Sequence, residues 1–372
     1  MTILYPKYRY YYCFLLAFFC LQQACAQISF TGKVINETGG IAIQNASVYF
    51  NNTTIATQTN QQGEFKFEAV PFFNTELIIF SPGYELIVFK PTTAQLLVKK
   101  FIFKLHAKES LALPKENLTP ELKKNYLNAF YQGLLGITDE AFHCEVSNGK
   151  DIYFTEDKRN GGFIAFADSA LVITNTLLGY KIYYNLGDFF YDGFNGRSYF
   201  AGYCRYEELG DEKQFLSNRS HAYFGSSQHF YRSLIAHQLN KEGFGVFINK
   251  PAKASRDKNA DQNVGDDNFS PITEQQILWI DSSNNFSIGI KGKLVVQYNK
   301  NPHSKSYLSK ILPYLEGDLK KGIEANIDIK TAPLELTTIG VPVDDTNVEY
   351  GGYWTYEKLG NLLPLDYKPE LH

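Results

Sequence analysis

The sequence predicts a mainly β protein: an N-terminal seven-stranded β-sandwich followed by a larger β-rich α+β domain. Three observations predict it. Phe and Tyr number 29 and 26 in 372 residues, with a single Met, and aromatic and β-branched residues suit pleated, half-buried surfaces better than helices. Residues 28–105 break into short segments separated by Gly, Pro and Asn turns, several of them alternating apolar with polar residues as half-buried strands do. Beyond Pro120, strand-like segments continue but are interrupted by helical patterns near 121–133 and 211–242. The length allows two or three domains. A hydrophobic share of 44% and a charged share of 20% mark a folding chain. With 36 basic and 39 acidic residues, the net charge of -3 excludes a strongly basic nucleic-acid binder.

The chain opens on an export signal. Lys7 and Arg9 form a positive n-region, and residues 11–21 are apolar and uncharged. That run is too short to span a bilayer core comfortably and is followed by small residues. Ala24 and Ala26 form an A-x-A site, so cleavage before Gln27 is the first choice, leaving a signal peptide of residues 1–26. The rival is lipidation at Cys25, which the preceding Gln22-Gln23 pair fits poorly. Loss of this segment removes two basic residues and no acid, leaving 34 positive and 39 negative side chains, a net of -5. No later stretch is apolar enough to cross a membrane as a helix. The expected locations are the periplasm or the outer membrane and cell surface of a Gram-negative bacterium. Cys144 and Cys204 remain after cleavage and are a possible disulfide pair in an oxidising compartment. Whether their Cα atoms approach one another is left open by the sequence.

In the first mature part, segments at 28–35, 46–52, 54–59, 64–70, 76–82, 84–90 and 96–105 read as the seven strands. The clearest is Glu64-Phe65-Lys66-Phe67-Glu68, where the two Phe share one face and the charges the other. Gly39-Gly40, Asn60-Gln61-Gln62-Gly63 and Ser81-Pro82-Gly83 supply turns. About seven short strands in roughly 80 residues fit a Greek-key sandwich.

The composite of Gly32-Lys33-Val34, Ala46-Ser47-Val48, Thr57-Gln58-Thr59-Asn60, Gly63-Glu64-Phe65-Lys66-Phe67, Val70-Pro71 and Ser81-Pro82-Gly83-Tyr84 resembles the carboxypeptidase-regulatory-like domain. The resemblance covers residues 28–105 and implies a transthyretin-like β-sandwich. It departs from the family at Ala42 and Gln44, where prolines are usual, and at Asn60, where Asp is usual. The resemblance implies an accessory domain that brings no catalytic residue with it, so it does not imply carboxypeptidase activity.

Residues 107–120 read as a linker. Thr119, Pro120 and Glu121 then open a helix as N-cap, first-turn proline and dipole-matched acid. Further strands are expected at 142–146, 152–155, 162–167, 171–174, 181–186, 198–205, 244–249, 276–280, 286–290 and 293–298, with a long exposed polar loop near 250–271. The strings Leu135-Gly136, Leu178-Gly179-Tyr180-Lys181-Ile182-Tyr183-Tyr184, Gly352-Tyr353-Trp354 and Leu363-Pro364-Leu365-Asp366-Tyr367, with the stretch 219–234, resemble exported Bacteroidetes proteins. In those, a regulatory-like domain precedes a β-rich region of unknown function. This resemblance gives an architecture but no activity.

The most polar segment is the helical stretch 218–234. Read as one helix, it sets Arg219 beside Tyr223 and His229 beside Ser233 at i,i+4, with Arg232 three residues after His229. A phenol, an imidazole and two guanidinium groups along one helix form a candidate site for phosphate or carboxylate. The competing role, which the residue types favour, is that Arg and His bond backbone carbonyls and fix this helix onto a sheet. His221, His229 and His237 recur every eight residues, but eight helical residues rise about 12 Å, so they cannot share one ion. His106 and Glu109 match the H-x-x-E of zinc carboxypeptidases but sit at the end of the regulatory-like part. There is no G-x-S-x-G elbow, P-loop or dinucleotide fingerprint, so neither a catalytic residue nor a cofactor is assigned. The expected function is a non-enzymatic envelope or cell-surface protein acting by protein or glycan binding. The alternative is a hydrolase acting on an envelope polymer or peptide, distinguished by a convergent acid/base pair in a cleft of residues 140–372.

Overall fold

The computed structural model describes residues 29–68, 75–92, 95, 100–108, 118–249, 269–300 and 323–369. The signal segment 1–26, linker residues 109–117 and loop residues 250–268 lie outside the described residues.

The N-terminal part holds β1 (Phe30–Asn36), β2 (Ser47–Phe50), β3 (Ala56–Gln58), β4 (Glu64–Phe67), β5 (Leu77–Phe80), β6 (Ile87–Phe89) and β7 (Phe101–Leu105). One sheet runs β4-β1-β7 and the other β3-β2-β5-β6, with β1 and β7 parallel and every other pair antiparallel. Each of the seven expected segments carries one of these strands, in two facing sheets, while residues 28, 69–70 and 96–99 of those segments lie outside the described residues, as do Val70 and Pro71 of the family-like strings. Phe30, Val34, Val48, Phe50, Phe65, Phe67, Leu77 and Ile79 fill the space between them. Phe65 and Phe67 are buried while Glu64 and Lys66 are exposed, as the alternation requires. Asn60 serves in its turn without the usual acid: its Oδ1 accepts from the Gln62 and Glu64 amides at 3.0 and 2.8 Å. Gly63 in that turn has φ +73°, and a Cβ there would sit 2.4 Å from the Val34 carbonyl.

The region expected as one larger domain contains two hydrophobic cores. The first lies under β8 (Cys144–Val146), β9 (Ile152–Asp157), β10 (Gly162–Ala167), β11 (Leu171–Asn175), β12 (Tyr180–Tyr191) and β13 (Ser198–Glu208). The order is β8-β11-β12-β10-β9, with β13 on the other side of β12. Helix α1 (Pro120–Leu135) begins as expected, with Thr119 Oγ1 accepting from the Leu122 amide at 3.2 Å. It packs Phe130 and Leu134 with Phe154, Phe163 and Phe189 in this core, which Leu359, Leu363 and Tyr367 from the chain end complete. A short α2 (Asp139–Phe142) replaces the start of the strand expected at 142.

The second core belongs to a sheet of β14 (Phe244–Asn249), β15 (Phe269–Ile272), β18 (Gly292–Tyr298), β19 (Ile323–Ile329) and β21 (Val348–Gly352), ordered β15-β14-β18-β19-β21. A smaller sheet of β16 (Leu278–Ile280), β17 (Phe286–Ile288) and β20 (Leu334–Leu336) adjoins it. The last part of the expected polar loop, 269–271, is thus strand. The strand expected at 276–280 starts as helix α6 (Glu274–Ile277), because the Gln276 side chain accepts from the Thr273 amide at 2.8 Å and caps a turn first.

The 211–242 stretch is not one helix. It forms α3 (Leu216–Tyr223), α4 (Ser227–Ile235) and α5 (Leu239–Glu242). Gly225 at φ +89° ends the first, and Ser226 Oγ caps the second by accepting from the His229 amide at 3.1 Å. His237 at φ +55° breaks the chain again.

The sandwich and the first β-rich lobe dock through the turn at 51–54. The Asn52 amide donates to the Cys204 carbonyl at 2.8 Å, the Tyr206 amide to the Thr53 carbonyl at 2.9 Å, and the Cys204 amide to Asn51 Oδ1 at 3.1 Å. The chain end joins the same turn. The Leu365 amide donates to the Asn52 carbonyl at 2.6 Å, and Asp366 accepts from both the amide and the hydroxyl of Thr54. A double-mutant cycle of Thr54→Ala and Asp366→Ala, read by urea unfolding, is expected to show a coupling of about 1–3 kcal/mol. Simple additivity contradicts this docking.

Candidate functional site

The four residues singled out in the sequence divide between two helices. Arg219, on α3, is 0% exposed. Its guanidinium donates to the Leu178 and Gly179 carbonyls at 2.8 and 3.2 Å, meets Glu208 at 2.5 Å and lies 3.9 Å over the Tyr180 ring. It pins α3 to the Leu178-Gly179 turn between β11 and β12. A buried guanidinium needs such full engagement, since an unpaired one is very costly.

Tyr223, His229 and Arg232 come together where α3 meets α4. The His229 ring is 4.9 Å from Tyr223 and also packs on Phe224, Phe244 and Tyr298. Its Nδ1 accepts from the Gly225 amide at 3.1 Å, which leaves the proton on Nε2, facing Glu242 at 3.5 Å. Burial pushes the imidazole down to about 4 despite the opposing pull of Glu242. Burial likewise raises the Tyr223 phenol above its ordinary range. Arg232 donates to the Tyr367 and Leu365 carbonyls, both at 2.8 Å. The two guanidinium groups thus donate to backbone carbonyls and the His229 Nε2 faces Glu242, and the expected single-helix array of all four does not form because Gly225 turns the chain.

Sequence reasoning missed Glu357. Its carboxylate accepts from the Ser227 amide at 2.9 Å and from the Ser227 hydroxyl at 2.5 Å, at the start of α4. Burial pushes its carboxyl up to about 7, against the Ser227 hydrogen bonds. The two residues lie 130 positions apart, and no local motif announces the pair.

Arg232 also borders a cleft of about 470 Å³. Ile235 of α4, Ala236 just past it, Phe286 of β17 and Ile339 supply apolar walls, and Thr338, Leu365, Asp366, Tyr367 and Lys368 complete it. Asp366 is the one carboxylate among these lining residues, and Thr54 engages it. The volume is within the range of small-ligand sites, about 300–1,000 Å³. The arrangement can enclose an apolar group but does not present two carboxylates to one substrate atom.

The possible Cys144–Cys204 disulfide is corrected. Both thiols are free. Cys144 is on β8 and Cys204 on β13, with β11 and β12 between them. Three strand spacings are about 14 Å, beyond the roughly 7 Å that a disulfide tolerates between Cα atoms. The thiols instead donate to the Glu140 carbonyl at 3.4 Å and to Asn52 Oδ1 at 3.0 Å. His106 sits 2.8 Å from Glu37, and Glu109 lies outside the described residues.

Two predictions follow from these contacts. Arg219→Met is expected to cost about 2–4 kcal/mol in urea unfolding. Most of that comes from the Leu178 carbonyl, which loses its partner, because the Gly179 carbonyl keeps the Leu209 amide at 2.9 Å and Glu208 reaches solvent. The second concerns pH. A carboxyl raised in the folded state binds its proton more tightly there than in the unfolded chain, so stability falls as pH rises. Glu357 contributes fully below its ordinary range near 4.5 and loses this contribution through about pH 7. Between pH 5 and 8, Glu357→Gln is therefore expected to flatten part of the parent's stability loss. His229 acts oppositely, its contribution falling away from about pH 6.5 down to 4, and is common to both proteins.

Comparison with known proteins bears on the N-terminal part. No helix of the described residues is long and apolar enough to cross a membrane. No curated protein matches the chain. Among solved structures, it is similar to a Bacteroides fragilis protein of unknown function provisionally described as membrane-associated, at 9% identity and a TM-score of 0.17, covering 49% of this chain and 82% of that one. Residues 30–112 match the family model of the CarboxypepD_reg-like domain, and the seven-stranded sandwich is that domain.

Proposed function

We propose that this chain is an exported, non-enzymatic binding protein of the bacterial envelope or cell surface, in which the CarboxypepD_reg-like sandwich supports a β-rich region that holds a protein or glycan partner. The observation that carries this reading is the cleft beside α4. Its walls are apolar at Ile235, Phe286 and Ile339, and its Arg232 and Asp366 are engaged by the chain's own carbonyls and by Thr54. Such a cleft favours enclosure of a partner group over acid/base chemistry. The export signal read at residues 1–26 supports the location.

The test compares the chain from Gln27 onward with its Ile339→Arg variant. Both are incubated with purified peptidoglycan, capsular polysaccharide and solubilised outer-membrane proteins. The bound fraction and any soluble fragments are measured. The expected result is saturable binding without fragment release, weakened about tenfold or more by the buried charge, equivalent to about 1.4 kcal/mol. Release of fragments that Asp366→Asn abolishes favours the hydrolase instead.

A further inference from the structure

A second cavity, of about 140 Å³, lies at the seam between the sandwich and the first β-rich lobe. It is distinct from the cleft and does not depend on the role proposed for it. Each sheet contributes one wall. From the sandwich come Ser47 and Tyr49 of β2, with Gln58 and Phe80 directly opposite Ser47 on β3 and β5. From the lobe come Tyr183 and Asn185 of β12, with Arg205 directly opposite Tyr183 on β13. Residues two apart on a strand share a face, so the register itself places these polar groups together.

The one charged side chain among the lining residues is a cation, beside the amides of Asn45, Gln58 and Asn185. The Arg205 guanidinium stacks 3.7 Å over the Tyr183 ring, and its side chain is only 14% exposed. The carboxylate paired with it is Glu207, at 3.5 Å and 55% exposed, which is a long and solvated contact. Buried guanidinium groups are ordinarily matched more closely than this. The Ser47 hydroxyl is buried without a hydrogen-bond partner. The Tyr49 oxygen accepts from the Asn185 amide at 2.7 Å, which orients the phenol and leaves its own proton to donate. Burial keeps that phenol protonated. These donors therefore line one cavity, and no carboxylate lines it with them.

We propose that this seam cavity binds a small carboxylate, with Arg205 supplying the charge, Ser47 and Tyr49 the further donors, and Tyr183 the stacking floor for the guanidinium. A planar guanidinium matches a carboxylate in a way a point charge does not. At about 30 Å³ per water-sized unit, the volume admits a carboxylate on a stem of two or three carbons. That group is either a free short-chain acid or the end of a longer chain that stays outside. Occupation ties the two halves of the seam together, because its donors come from both.

The test uses the chain from Gln27 onward, labelled for amide NMR and titrated with propionate, propionamide, inorganic phosphate and a tripeptide with a free or an amidated C-terminus. Propionate is expected to shift the Ser47, Tyr49 and Arg205 amides saturably, with propionamide at least tenfold weaker. Arg205→Gln is expected to weaken propionate at least tenfold and Ser47→Ala a few-fold, while Ile339→Arg in the other cleft leaves it unchanged. Ser47→Ala reads the site even where the arginine variant does not fold. Tighter binding of the free than the amidated tripeptide assigns the end of a chain; binding of propionate alone assigns a free acid. Equal response to propionate and propionamide, preference for phosphate, or no response to any probe overturns the proposal.

Discussion

Much of this architecture depends on the turn at 51–54. It leaves the sandwich between β2 and β3 and offers its backbone to β13 on one side and to the chain end on the other. Two backbone hydrogen bonds to Cys204 and Tyr206 make it a short parallel extension of the lobe's sheet. Backbone groups so engaged are removed from water only with partners in place. The turn therefore sets the angle at which the outer face of β2 meets β12 and β13. It also receives Leu365 and Asp366, which fixes residues 363–367 in place. That segment in turn closes the first lobe's core with Leu363 and Tyr367 and forms one side of the cleft. A single four-residue turn thus joins the sandwich, a core and a candidate binding surface.

The ionisable groups inside the second region act as ties between segments distant in sequence. Arg219 joins α3 to the turn after β11, Arg232 joins α4 to residues 365–367, and Glu357 joins the chain end to the start of α4. Arg219 and Arg232 meet backbone carbonyls, Arg219 with the Glu208 carboxylate beside it, and Glu357 meets the Ser227 amide and hydroxyl, which offset only part of its desolvation. This explains why the segment richest in Arg and His in the sequence is scaffold in its geometry. Arg205 differs. Its side chain is nearly as enclosed, yet its companion carboxylate is long and solvated, and its neighbours are donors.

The sandwich was legible because its signals are local. The alternation at 64–67, the turn at 60–63 and the composite of family-like strings all lie within about 80 residues of one another. The cap at Thr119 and the strand at 244–249 were equally local, and the structure places both. The break at Gly225 was not inferred, although Gly-Ser-Ser carries both the φ-permissive residue and the next N-cap; polar periodicity on either side masked it. The division of the second region into two cores was not legible either. It arises because residues 359–367 return to the first lobe after the second is complete, and tertiary closure of that kind leaves no periodic trace. The seam cavity is the extreme case: Ser47 and Arg205 are 158 positions apart, and only the docking of two sheets makes them neighbours.

The most direct measurement is amide hydrogen exchange at Asn52, Cys204, Tyr206 and Leu365 in the chain from Gln27 onward. These four amides make bonds between the 51–54 turn and β13 or residue 365, and none of them lies in the centre of a core sheet of the sandwich. If the turn holds the assembly together, they exchange only in openings that also release core amides such as Ile79, and their protection approaches the core value. Exchange at the rates of free loops, with the core amides still protected, would contradict the account and leave sandwich and lobes as independent units.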